Sequence, residues 1–247
     1  YKARVHRELA DYHASLDYVE KGEKLKVKNS VGLESEAGYT LLSLGRAKEA
    51  YTKFAKLVKQ EPLNQGWWTM LSTCYYLQNE ESKYHWLCNY QQLLAVVPIL
   101  PSIESRKSLN NALRDVLDDL HQNERHPIGQ SLRNGTQTYE NLFDDNSEVI
   151  NTLSGLILER AEEFIKLQST DRKHPFLSRL GKDLTFKGSW SVKLRSDGYH
   201  RSHYHPEGWL SGVYYVDVPD AVDKHGEGWL TFGRADIACL LYTSDAA

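Results

Sequence analysis

A pattern of small and aromatic residues, repeated about 34 residues apart in the first half of the chain, constrains the fold most strongly. Residues 34–59 carry apolar side chains at helical spacing, and Gly45 divides them into two segments. Phe54 and Leu57 stand where the second segment buries its face, and Pro62 stands where that helix must end. Small residues stand where two antiparallel helices approach closely: Ala37, Gly38 and Ala50. The pattern predicts a helical hairpin.

A second window, one period further along, supports the repetition. Its first helix has matching residues at Trp68, Leu71, Ser72 and Tyr75. Its second helix matches less well, with Tyr84, Cys88 and Gln91 where small or apolar residues are expected. The two windows resemble tetratricopeptide repeats, and this resemblance implies stacked hairpins with a concave groove that binds a protein or peptide. A generic helical hairpin is the alternative interpretation.

The rest of the chain changes from helices to strands. Helical periodicity resumes at residues 105–121 and 147–167, where Asn146 or Ser147 can cap the second helix. Between them, residues 130–138 form a polar stretch in which Asn134-Gly135 predicts a turn. Alternation at residues 190–195 predicts a half-buried strand, and residues 213–218 and 229–232 are also strand-like. Helices followed by strands predict an α+β protein with a helical module before a strand-rich module.

Three segments are predicted along the chain. Residues 1–100 form the helical repeats, and residues 101–238 form the strand-rich domain. Residues 239–247, which include Cys239, are similar to a translated sequencing adapter, so we exclude them from fold reasoning. We therefore expect the natural domain to be cut off before its end.

The sequence from His203 to His205 is the candidate metal-binding motif. Side chains at i and i+2 of an extended segment point to the same side, so the two imidazoles converge if the segment is a strand. Imidazole nitrogens are common metal ligands, and Pro206 and Gly208 fix the turn that follows. His200 is expected, at best, to contact a metal ligand and not the metal itself. No residue is assigned a catalytic role.

Three runs of this motif's surroundings resemble a known family. They are Trp190-Ser191-Val192-Lys193-Leu194, the stretch from His203 to Pro206 with Ser211-Gly212-Val213-Tyr214-Tyr215-Val216, and Gly228-Trp229-Leu230-Thr231-Phe232-Gly233. Together they resemble the 2-oxoglutarate- and Fe(II)-dependent oxygenases that carry tetratricopeptide repeats, over residues 130–234. The resemblance implies a double-stranded β-helix, which is a cupin-like jelly roll, with Fe(II) as cofactor and 2-oxoglutarate as co-substrate. Its typical reaction is hydroxylation.

The resemblance also implies roles for individual residues. His203 is the first metal ligand, and His205 stands where the family usually has a carboxylate. The alternative pair is His205 with Glu207, which leaves open whether Glu207 replaces His203. The family's distal histidine and its arginine for 2-oxoglutarate are expected further along the fold and are not found in this sequence.

Three residues after the motif are candidates for contact with the co-substrate. Tyr214 and Tyr215 alternate across their predicted strand, so one faces the cavity and the other faces outward. Ser211 is the third candidate. Packing in the core is an equally good interpretation of the inward tyrosine.

The net charge, the apolar runs and the cysteines limit the kinds of partner and compartment to be expected. A net charge of -3 gives no basic surplus for nucleic acid, and no apolar run approaches the roughly 20 residues of a membrane span. The three scattered cysteines form no CxxC pair, which favours a reducing cytoplasm. The predicted function is a dioxygenase whose repeats recruit a protein or peptide substrate. The alternatives are a non-catalytic interaction module with a degenerate cupin domain, and a zinc- or manganese-dependent isomerase or lyase.

Overall fold

A computed structural model of the chain contains two compact units. The described residues are 1–25, 30–121, 130–181, 183–223, 226, 228–233, 235 and 237. One unit comprises Tyr1–Tyr90, Tyr204–Trp209 and the chain from Gly233, and the other comprises Gln91–His203 and Leu210–Phe232. Residues 239–247 lie outside the described residues. The domain bounds drawn from the sequence stay predictions.

The first unit is built from consecutive helices. They are α1 (Lys2–Glu8), α2 (Tyr12–Lys24), α3 (Ser30–Ser43), α4 (Ala47–Gln60), α5 (Gln65–Leu77) and α6 (Glu81–Leu87). Between α3 and α4, Gly45 has a φ of 72°, a left-handed conformation that glycine tolerates best. Helix α4 ends two residues before Pro62, which cannot donate to a helical ladder. The predicted pair of helices is confirmed, and the tetratricopeptide assignment stays a prediction.

Gly38 and Phe54 pack closely together between α3 and α4. Phe54 is fully buried, and a Cβ atom on Gly38 would lie 2.6 Å from its ring. The ring of Phe54 also meets Tyr39 edge-on, with 5.5 Å between centroids. Further side chains of this core have no exposed surface: Leu42, Ala50, Leu57 and Cys74. A residue without a side chain is therefore needed at position 38.

The second unit contains two long helices, α8 (Ile103–Leu120) and α9 (Glu148–Lys166); α7 (Tyr90–Leu93) spans the boundary between the units. Ser102 caps α8 by accepting a hydrogen bond from the backbone N–H of Ser105. Ser147 is the N-cap residue of α9, as predicted, but its side chain makes no capping hydrogen bond. The buried core consists of Ile99, Leu109, Leu113, Leu117, Leu142, Ile150 and Leu153.

Two antiparallel strands, β1 (Leu132–Gln137) and β2 (Val192–His200), form the sheet of the second unit. The register pairs Leu132 with His200 at one end and Gln137 with Val192 at the other. A bulge interrupts it at Asn134, whose φ is 51° and whose amide group donates to the carbonyl of Ser196. The Asn-Gly pair, predicted as a turn, therefore lies inside a strand.

Two other strand predictions were wrong. In the described part of the chain, residues 213–218 and 229–232 have no ladder partner and form no strand, although they are rich in the β-branched and aromatic residues that favour strands. An extended segment becomes a strand only when a neighbour satisfies its backbone groups, and the described sheet has two strands. A helix-rich chain with a small antiparallel sheet is consistent with the α+β class. The jelly roll stays a prediction.

None of the helices in the described part of the chain combines the length and apolar character that a membrane span requires.

Candidate functional site

His203 lies just beyond the end of β2, where the ladder terminates. The last ladder bond joins the N–H of Arg201 to the carbonyl of Ser131 at 3.0 Å. The Nδ1 atom of His203 is 2.8 Å from the carbonyl oxygen of Arg201. Because a carbonyl only accepts, Nδ1 is the donor in this contact, and Nε2 is the ring nitrogen that could bind a metal. Metal-binding histidines commonly use this arrangement, in which a carbonyl orients the ring from behind.

His200 lies closer to His203 than the sequence suggested. The two rings are 5.6 Å apart between centroids, with an angle of 35° between their planes. Nδ1 of His200 is also 2.9 Å from the hydroxyl of Ser131, and both histidines are exposed. The spacing of three residues gave no signal of this pairing, because neither a strand nor a helix was predicted across it. The structure thus brings together His200 and His203 within the second unit.

His205 belongs to the first unit, because the boundary between the units falls between His203 and Tyr204. The prediction that both imidazoles share the face of a strand assumed that a strand contains them. This assumption was wrong, because β2 ends at His200 and the chain turns at Pro206 and Glu207. Ligation by His203 and His205 stays a prediction. The alternative pair, His205 and Glu207, lies within one unit.

The backbone on either side of His205 is held by the helices of the first unit. The hydroxyl of Tyr204 is 2.6 Å from the hydroxyl of Tyr39 on α3. The carbonyl of Pro206 accepts a hydrogen bond of 2.9 Å from the N–H of Gln65, the first residue of α5. Pro206 and Glu207 also line a shallow depression with the connection between α4 and α5. The sequence contains no local signal of these contacts.

The three candidates for co-substrate binding lie in different surroundings. Tyr214 is half-buried against the core of the second unit, and its hydroxyl donates to Oδ1 of Asn110 on α8. Burial raises the pKa of Tyr214, although the charge of Arg106 opposes this. Tyr215 is half exposed and Ser211 is exposed. Their roles toward 2-oxoglutarate stay predictions.

His121 makes a polar junction between α8 and the sheet. Its Nε2 atom lies 2.9 Å from the hydroxyl of Ser191, and its Nδ1 atom lies 2.9 Å from the hydroxyl of Thr136. Burial lowers the pKa of His121, and the nearby ammonium group of Lys193 lowers it further, against the opposing charge of Asp118. Lys193 itself donates to Asp118 at 2.7 Å. This histidine therefore supports the two-stranded sheet whose second strand ends at His200.

Within the described ranges, no three side chains of the His, Cys, Asp and Glu types lie grouped as a metal ion requires. The imidazoles that the structure brings close together are those of His200 and His203, with Nδ1 of His203 facing the carbonyl of Arg201. Nitrogen donors of this kind suit Fe(II) as part of a mixed imidazole and carboxylate set. The described residues thus supply imidazoles of the type that iron sites use, without a complete ligand set among them.

Comparison with known proteins agrees with this chemistry. A family model described as "Putative 2OG-Fe(II) oxygenase" matches residues 188–238. No curated protein and no solved structure matches the chain. The matched segment includes β2, the three histidines from His200 to His205, and the residues proposed to contact the co-substrate. This segment is similar to an oxygenase domain whose family uses Fe(II) and 2-oxoglutarate.

Proposed function

We propose that the chain contributes to an Fe(II)- and 2-oxoglutarate-dependent dioxygenase that hydroxylates its substrate. The supporting observation is that the family match covers His203, whose Nδ1 atom is tied to the carbonyl of Arg201. A histidine whose Nδ1 donates to a carbonyl in this way presents Nε2 toward a metal.

The residues proposed to hold the metal are His203 and His205, with His205 and Glu207 as the alternative pair. Two imidazoles leave the metal's full positive charge uncompensated, whereas one imidazole and one carboxylate remove one unit of it. When bound, Fe(II) supplies the redox chemistry that activates oxygen together with 2-oxoglutarate. The chain's own contribution is to orient the donors.

Tyr214, Tyr215 and Ser211 are proposed to contact 2-oxoglutarate. A phenol or serine hydroxyl can donate a hydrogen bond to a carboxylate, and a neutral phenol is needed for this. Burial raises the pKa of Tyr214, so its hydroxyl is protonated at neutral pH. Tyr214 would have to exchange its present bond to Asn110 for one to the co-substrate. Tyr215 and Ser211 are exposed and need no such exchange.

The helices of the first unit are proposed to bind the substrate, which is a protein or peptide. A helical repeat surface suits an extended partner, and the net charge of -3 gives no surplus attraction for nucleic acid. Hydroxylation would then act on a side chain of that bound partner. The alternative is an interaction module that binds the same partner without chemistry.

Titration with Fe(II) under anaerobic conditions tests this proposal. We expect His203→Ala and His205→Ala each to raise the Kd for Fe(II) by at least about 10-fold. The matched control is His13→Ala, which removes an exposed histidine from α2 and should leave the Kd unchanged. Glu207→Gln separates the two pairs, because it weakens binding only if Glu207 is a ligand.

Turnover provides the second measurement. We expect the protein with its complete oxygenase domain to convert 2-oxoglutarate to succinate in an Fe(II)-dependent reaction that His203→Ala abolishes. If that protein binds Fe(II) no better than its His203→Ala variant, and forms no succinate, the dioxygenase proposal is wrong. The interaction module without chemistry would then be the better interpretation.

A further inference from the structure

The segment that contains His205 is attached to the helical unit on both sides of that residue. Tyr204 precedes His205 and places its hydroxyl 2.6 Å from the hydroxyl of Tyr39. Pro206 follows His205, and its carbonyl accepts the N–H of Gln65 at 2.9 Å. All these residues belong to the first unit. The backbone of His205 is thus restrained from two directions by α3 and α5.

The tyrosine is embedded rather than resting on the surface. Its ring packs against the buried core formed by α3, α4 and α5. A Cβ atom on Gly66 would lie 2.5 Å from Cε2 of Tyr204, so the ring occupies the space that any other residue at position 66 would fill. Glycine is a poor helix former, yet it stands in the first turn of α5. The glycine makes room for the ring.

The hydrogen bond to Pro206 satisfies a group that the helix cannot satisfy by itself. The first N–H groups of a helix have no partner within the helix. Asn64 caps α5 by accepting from Gly66, and the carbonyl of Pro206 accepts from Gln65. The hydrogen bond between Gln65 and Pro206 therefore stabilises both the start of α5 and the segment after β2.

We infer that Tyr204 is a positioning residue of the metal site, and that α3 and α5 set the metal affinity by holding the backbone of His205. This inference rests on the proposed function, because it takes His205 as a ligand. A ligand whose backbone is fixed before the metal arrives loses less conformational entropy on binding. The contacts that α3 and α5 make with Tyr204 and Pro206 then help to set the metal affinity of His205.

Titration with Co(II) tests the inference without requiring turnover, since the visible spectrum of Co(II) reports its ligands. Tyr39→Phe removes the hydrogen bond from the helix side, and Gly66→Ala displaces the ring of Tyr204. We expect each substitution to raise the Kd for Co(II) by about 3- to 10-fold, as loss of supporting contacts does at other metal sites. Tyr204→Phe added to Tyr39→Phe should cost little more, because both remove the same bond.

The matched control removes a buried hydroxyl contact elsewhere in the same unit. Ser15 is fully buried, and its hydroxyl lies 2.8 Å from that of Thr40 on α3. Ser15→Ala should destabilise the helical unit and leave the Kd for Co(II) unchanged. Hydrogen exchange in residues 203–209 gives a second readout, because Gly66→Ala should accelerate it while Ser15→Ala should not.

The outcomes separate this inference from the proposed function. If His205→Ala weakens Co(II) binding but Tyr39→Phe and Gly66→Ala do not, the positioning role is wrong and the metal site stands. If His203→Ala, His205→Ala and Glu207→Gln all leave the Kd unchanged, the proposed site is wrong and the positioning role falls with it. If Ser15→Ala weakens binding as much as Gly66→Ala, the effect is general instability and the inference is also refuted.

Discussion

Replacing Gly38 by alanine should destabilise the helical unit, although alanine favours helices. Gly→Ala inside a helix stabilises by about 0.5–1 kcal/mol through backbone entropy and propensity. At Gly38, however, the new Cβ atom would lie 2.6 Å from the ring of Phe54. This ring has no exposed surface and lies against Tyr39 and Trp67, so it cannot move aside without displacing them. Overpacking of this kind costs about 1–3 kcal/mol, which leaves a net loss of about 1 kcal/mol.

Gly155 provides the matched comparison. It also lies inside a helix, α9, but a Cβ atom there would meet no heavy atom within 4 Å. Gly155→Ala should therefore gain the full propensity term of about 0.5–1 kcal/mol. Hydrogen exchange measured by mass spectrometry assigns each change to its own helix. In Gly38→Ala, we expect amides of α3 and α4 to exchange about 5-fold faster, because a loss of about 1 kcal/mol is converted at about 1.4 kcal/mol per factor of ten. In Gly155→Ala, we expect amides of α9 to exchange more slowly. Slower exchange in both variants would refute the close approach at Gly38.

Three further predictions concern polar groups. Because folding lowers the pKa of His121, the unfolded chain binds more protons than the folded protein just below pH 6.5. The free energy of unfolding should therefore fall as the pH drops through that range. Urea titrations should show a smaller fall in His121→Gln. Burial raises the pKa of the Cys74 thiol to about 12. Labelling of Cys74 by iodoacetamide at pH 8 should therefore be slow in the native protein and fast in urea. Rapid labelling of Cys74 in the native protein would contradict its buried position. Asn134→Ala should destabilise the sheet by about 1–2 kcal/mol in thermal melts, since it strains a positive φ and removes the bond to Ser196, whereas Asn134→Gly should cost less because it keeps the backbone relaxed.

The helices could be predicted from the sequence because their information is local. Gly45 and Pro62 mark where helices end, and both effects act through the backbone of the residue itself. The buried face of α4 follows from the spacing of Phe54 and Leu57, which one helix determines alone. Even the close contact at Gly38 was visible as a small residue in the right phase. None of these inferences needed knowledge of a distant part of the chain.

The strands were harder because their partners are remote. Strand β1 was interpreted as a polar stretch with an Asn-Gly turn, yet it pairs with β2 about 60 residues away. Gly135 accepts the close approach of the opposite backbone, since a Cβ atom there would lie 2.7 Å from the carbonyl of Lys193. Residues 213–218 show the converse error: they are rich in valine and tyrosine, which favour strands, but no described neighbour pairs with them. Such a composition indicates only that a segment can be extended.

The candidate site depends both on local sequence signals and on contacts with remote residues. Sequence alone identifies the imidazoles of His203 and His205, because the residue types themselves indicate metal binding. It cannot identify what holds them, because the acceptor for His203 is a backbone carbonyl and the contacts of Tyr204 lie on Tyr39 and Gly66, far upstream. Spacing predicted that one strand would aim both rings, but β2 ends before the motif. The orientation of His205 must then come from the contacts around it, and those are made by helices. A variant of α3 or α5 should therefore alter metal affinity more than an equally destabilising variant elsewhere in the helical unit.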